Sequence, residues 1–137
     1  MLLTLQIIHF FLTVSLVANN TAAGCSDFLR DQGVRPAGLK FLGCKLFQSD
    51  HPRRLVARYR ISGRGAKAVE NILASKFGMA RLVFRCCGWE REKDYGRYRD
   101  TAGRTHLIDM FSDETIEKDW KKISGFTVTD ELLLDEI

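Results

Sequence analysis

The sequence predicts an α+β domain: a mostly antiparallel sheet of about five strands, with two main helices packed on one face. Two segments carry most of that expectation. In Arg54 to Ser62, apolar Leu55, Ala57, Tyr59 and Ile61 alternate with Val56, Arg58, Arg60 and Ser62, the period of a strand with one face on a core. In "GRGAKAVENILASKFGM", Ala66, Val69, Leu73 and Phe77, with Ile72, recur at helical spacing. Lys67, Glu70, Asn71 and Lys76 fall mainly on the other side.

The remaining elements follow in order. Ser26 to Gln32 reads as a short helix, started by Ser26 or Asp27 and stopped by Gly33. Pro36–Gly38 turns into a strand from Leu39 to Phe47, with Leu42, Cys44 and Leu46 on one face. "QSDHPRR" is a turn that makes a hairpin with the Arg54 strand. Gly78 stops the long helix. Arg81 to Cys87 is a strand, followed by a charged loop and a strand from Arg104 to Phe111. "SDETIEKDWKKI" has a Ser112 or Asp113 cap and acidic residues in its first turn. It predicts the second main helix, with Ile116 and Trp120 facing the core. "GFTVTDELLLDEI" closes the order as a strand.

The first residues carry a different signal. From Leu2 to about Ala18 the chain is apolar and uncharged, and Ala22, Ala23 and Gly24 follow as a small-residue cleavage zone. Residues 1–24 are therefore read as a secretory signal peptide and 25–137 as one domain. No Lys or Arg precedes the apolar run, so its positive start is the terminal amine alone. A membrane anchor is the first alternative, although the run is at the short end of the roughly 17–25 residues that span a bilayer; a buried core helix is the second. "TAAGC" also resembles a bacterial lipobox, with Ala22 where that motif usually has Leu, which makes an envelope lipoprotein lipidated at Cys25 an alternative to the periplasm.

The 137 residues suit one domain. With 21 basic against 17 acidic residues, interspersed, the +4 balance gives no nucleic-acid footprint. No stable membrane span is expected after processing, and nothing in the composition sets the oligomeric state. In an exported chain, Cys25, Cys44, Cys86 and Cys87 suggest disulfides. If Cys86 and Cys87 lie on a strand they face opposite ways, so one could meet Cys44 and the other Cys25. A vicinal bond ranks last, and the partners are not readable. Adjacent cysteines do not suit a zinc site, and His51 and His106 match no ligand spacing. His9 lies in the signal. No metal, cofactor or catalytic residue is therefore predicted. A thiol-dependent redox protein or enzyme using Cys86 and Cys87, with His106 near in space, is the rival reading.

Gly63 and Gly65 between strand and helix could hold an anion, but a tight turn accounts for them. "GWEREKDYGRYRDTAGR" combines the residue types that anchor protein interfaces. Trp89, Arg91, Tyr95, Arg97, Tyr98 and Arg99 are the candidate partner-binding residues; the alternative is a solvated loop with Trp89 as a core plug.

"CCGWE", together with "CSDFL", "RPAGLKFLGC", "YRISGRGAKAVENILASKFGMARLVFR" and the "SDETIEKDW" to "VTDELLL" ending, resembles a family of short exported bacterial proteins of unknown function. The resemblance implies export, four cysteines acting together, and no catalytic residues. By analogy of class, such proteins include immunity factors that neutralise antibacterial toxins, so the expected function is protein binding, with another protein, such as a toxin, as the partner.

Overall fold

In the computed structural model, residues 24–49 and 51–135 are described. Residues 1–23, and so almost all of the predicted signal, lie outside them. The elements run α1 (Phe28–Asp31), β1 (Lys40–Phe47), β2 (Arg54–Ile61), α2 (Gly63–Phe77), β3 (Leu82–Arg85), β4 (Gly88–Arg91), β5 (Gly96–Arg99), β6 (Thr105–Ser112), a 3-10 turn (Trp120–Lys122) and β7 (Phe126–Leu133). All seven strands form one antiparallel sheet in the order β1-β2-β7-β6-β4-β3, with β5 also paired to β6. The expected five strands with two main helices on one face are thus corrected to seven strands with one long helix.

The alternation in β2 does what its period requires. Leu55, Ala57, Tyr59 and Ile61 are buried on the covered face, beside Ile108 and Met110 of β6 and Phe126, Val128 and Leu132 of β7. α2 closes this core with Ala66, Val69, Leu73 and Phe77 and ends at Gly78 in the left-handed conformation (φ 72°). Its start needs Gly63: a Cβ there would lie 1.9 Å from the Trp120 carbonyl oxygen. The Gly63 amide donates to the Ile123 carbonyl (3.2 Å), so the chain itself occupies this end of the helix.

Three local expectations change. Glu70 is buried, because its carboxylate accepts from the Leu82 amide (2.9 Å) and pairs with Lys67 (2.7 Å) and Arg81 (3.2 Å). Leu42 is exposed, because β1 shifts register between Phe41 and Gly43; Phe41, not Leu42, packs on Tyr59. The predicted second helix is extended apart from Trp120–Lys122. Its backbone is engaged elsewhere: the Asp113 amide donates to Gly125 (3.0 Å) and the Thr115 amide to Cys87 (2.8 Å), while the Glu117 carbonyl accepts from the Trp89 indole (3.0 Å). Ile116 faces solvent at 84% exposure, whereas Trp120 packs on Phe126 and Trp89.

Candidate functional site

The charged segment expected to be one loop contains β4 and β5, and this splits the predicted binding residues. Gly96 lets β5 lie close to the core: a Cβ there would come within 3.1–3.3 Å of Ile108, Met79 and Phe77. Strand alternation then turns Tyr98 inward, against Phe77, while Arg97 and Arg99 are exposed. Trp89 is half-buried between Phe84 and Trp120. Arg91 pairs with Asp109 (3.0 Å) and stacks over Tyr95, its guanidinium carbon 3.5 Å from the ring centroid. Of the six residues, Tyr95, Arg97 and Arg99 stay exposed, and Trp89 and Tyr98 serve packing.

Arg97 and Arg99 border a groove of about 620 Å³ at one end of the sheet, with Arg104, Leu133, Leu134 and Asp135. The carboxylate that lines it is already matched. Asp135 binds Arg53 (2.8 Å), and this hydrogen bond together with the Arg53 amide holds its carboxyl down at about 2. Arg104 bonds Asp100 (2.9 Å). Arg99 donates only to the Gly103 carbonyl (3.2 Å), and among the described residues Arg97 has no carboxylate partner. The groove therefore presents two arginines, without carboxylate partners among the described residues, beside Leu133 and Leu134.

Beside this groove lies the polar cluster that sequence reasoning missed. His106, 2% exposed, is held between two carboxylates: Nδ1 is 2.7 Å from Asp130 Oδ1 and Nε2 is 3.0 Å from Asp100 Oδ2. The Tyr98 hydroxyl donates to Asp130 Oδ2 (2.6 Å), stacks its ring on the imidazole, and Phe28 meets the imidazole edge-on. Burial pulls the His106 pKa down, but the hydrogen bonds and charges of Asp130 and Asp100 outweigh it and raise the pKa, favouring imidazolium. Burial pushes Asp100 up; the bonds from His106 and Arg104 overcome it and bring the carboxyl down to about 2. At Asp130 burial outweighs the hydrogen bonds from His106 and Tyr98 and raises the carboxyl pKa. A period-two reading of β6 and β7 would have placed both His106 and Asp130 on the covered face.

The cysteines pair as Cys25–Cys44 and Cys86–Cys87. The pairing left open by the sequence thus differs from the possibility that one adjacent cysteine meets Cys44 and the other Cys25. Cys86 and Cys87 are not strand residues facing opposite ways: they are the two central residues of the β3–β4 turn, between the paired Arg85 and Gly88. Cys44 lies on the inner face of β1, opposite Ala57, where it ties down the segment leading into α1. The same bond occupies the Cys25 sulfur, the atom that lipidation would use. The polar partners of His106 are Asp100, Asp130 and Tyr98. Among the described residues, no group of three or more His, Cys, Asp or Glu is placed to hold a metal ion, and no helix is long and apolar enough to cross a membrane.

Comparison with known proteins places the chain against a family model. The family model DUF4952, a domain of unknown function, covers residues 15–89, from before Cys25 through α1, β1, β2, α2 and β3 to Trp89 in β4. No curated protein and no solved structure matches. The match covers more than half of the chain and stops one residue short of completing "CCGWE", so it establishes the family without establishing that motif as its mark. The chain belongs to this family of domains of unknown function.

Proposed function

We propose that this is an exported, non-enzymatic protein-binding module that takes an acidic segment of a partner protein into the groove beside β5. The observation that carries the reading is the charge of that groove: Arg97 and Arg99 stand exposed next to Leu133 and Leu134, while its carboxylate, Asp135, is neutralised by Arg53. A segment with carboxylates for the two arginines and an apolar side chain for the leucines complements it. The burial of His106 and its bonds to Asp130 and Asp100 suit a structural role for that cluster. The Cys25–Cys44 bond suits an oxidising compartment, in keeping with export to the periplasm. Within this reading the partner is a secreted antibacterial toxin and the protein is its immunity factor.

The test has two arms. A fluorescein-labelled peptide alternating Glu and Leu is titrated against the chain and against an R97E/R99E variant; binding weakened at least tenfold by the charge reversal, with an unchanged melting temperature, is expected. Equal affinity for both would overturn the groove assignment. In cells, periplasmic expression is expected to protect against a toxin encoded beside the gene, and R97E/R99E to abolish that protection. Correctly exported protein that gives no protection would sink the immunity role.

A further inference from the structure

The Cys86–Cys87 pair has features that a structural staple does not need. It joins residues one apart, so it closes no length of chain, and the loop-closure stabilisation of a disulfide is absent. Both residues are exposed, at the mouth of a cleft of about 440 Å³ bordered by Arg85, Trp89, Phe111 and Glu114. Neither belongs to the core or packs against it, whereas Cys25 and Cys44 both do. Thiol–disulfide exchange requires a thiolate to reach a sulfur, and exposed bonds are the labile ones.

The turn is also wired to the rest of the molecule. Cys86 is the one non-glycine residue with positive φ (44°) among the described residues, a conformation that favours glycine or asparagine. Next to it, the Cys87 carbonyl accepts from the Thr115 amide (2.8 Å). Two residues on, the Trp89 amide donates to the Ser112 hydroxyl (2.8 Å) and its indole to the Glu117 carbonyl (3.0 Å). The segment between β6 and β7 is thus fastened to the residues that flank the cysteine pair.

We propose that Cys86–Cys87 is a thiol–disulfide exchange site whose oxidised form fastens the Thr115–Glu117 segment to the β3–β4 hairpin. The reductant is a dithiol, either a small molecule or a dithiol protein. One of its thiolates attacks a sulfur of the pair, forming a mixed disulfide and releasing the other cysteine as a thiolate, which takes a proton. The second thiol of the donor then closes the donor's own disulfide and releases the remaining cysteine. Two electrons and two protons pass from the dithiol to Cys86 and Cys87, leaving two thiols. In the reduced form the Cys87 carbonyl leaves Thr115.

The proposal is tested on the native, oxidised chain with dithiothreitol as the dithiol, iodoacetamide trapping and peptide mass mapping. Near-complete labelling of Cys86 and Cys87 while Cys25–Cys44 stays intact is expected, at a dithiothreitol concentration at least tenfold lower than the second bond requires. Reduction of both bonds together, or labelling of Cys86 and Cys87 only in denaturant, would overturn it. Hydrogen exchange at the Thr115 amide is expected to accelerate at least tenfold on reduction and in a C86S/C87S variant alike. An unchanged rate in both would remove the coupling to that segment. Phenylarsine oxide, which condenses with two neighbouring thiols and releases water, is expected to capture the reduced chain and not C86S/C87S. Equal capture of the two would also count against the site.

Discussion

Cys25–Cys44 spans 19 positions and fastens the segment before α1 to the inner face of β1, whereas Cys86–Cys87 joins neighbours at an exposed turn. The two regions around them differ in the same sense. Around the first, Asp27 accepts from the Tyr59 hydroxyl (2.8 Å), the Leu29 amide donates to that same hydroxyl (3.0 Å), and Phe28 covers His106. Each of these groups is inside the core or seals it. Around the second, the contacts are with the surface segment that follows β6. One bond therefore acts on the stability of the whole fold, and the other on the position of one segment; a shared residue type does not imply a shared task.

The largest expected effect tests the buried side of this comparison. Replacing Asp130 by Ala leaves the His106 imidazolium and the Tyr98 hydroxyl without their buried carboxylate, at a cost of about 3–5 kcal/mol in urea unfolding. If the loss were under about 1 kcal/mol, the cluster would not anchor the α1 side. Next, C25S/C44S is expected to cost about 3 kcal/mol, the loop-closure value for a separation of this size. A smaller penalty than that of C86S/C87S would invert the comparison.

Proton linkage gives an intermediate effect. His106 has a raised pKa when folded, so its contribution is fully present below its unfolded value of 6.5 and is lost as pH rises from there through the raised folded value. Asp100 has a lowered pKa, so its contribution is present above 3.8 and is lost as pH falls through about 2. Unfolding free energy measured against pH is expected to decline on the alkaline side in the native protein and to lose that decline in His106→Gln. Trp89→Phe removes the bond to the Glu117 carbonyl while keeping a ring against Trp120, and is expected to cost about 1 kcal/mol by thermal melting. An effect no larger than this, about 1 kcal/mol, is expected for C86S/C87S, since no chain loop is released and no core residue is touched while the Thr115 amide loses its bond to the Cys87 carbonyl. A loss above about 2 kcal/mol there would make the turn a structural staple after all.

The legible parts of the sequence were those whose neighbours share one burial pattern. β2, the long helix and β7 were readable because alternation or helical spacing persists through each, whereas in β1 the register shift at Phe41/Gly43 put Leu42 on the wrong face. β4 and β5 were hidden because four-residue strands rich in Arg and Glu, opening on Gly88 and Gly96, lack a clear period. Of the candidate site, Arg97 and Arg99 were identified as surface residues, but Tyr98 between them was not recognised as a buried partner of Asp130. Nothing local in "GRYRD" distinguishes these roles; they follow from which face of β5 meets β6.

What the sequence by itself determined is the set of surfaces that must leave water: one face of β2, one stripe of α2, and alternate residues of β7. The hydrophobic effect acts on each of these locally enough to be read from spacing. Only the tertiary structure decided the rest. The acidic, well-capped segment after Ser112 stays extended because Arg60, Gly125, Cys87 and Trp89 satisfy its polar groups better than a helix turned toward solvent would. The cysteine pairing was decided in the same way. Arg85 and Gly88 pair across β3 and β4, which makes Cys86 and Cys87 the turn, and a turn of two residues leaves each cysteine nearer to the other than to Cys25 or Cys44.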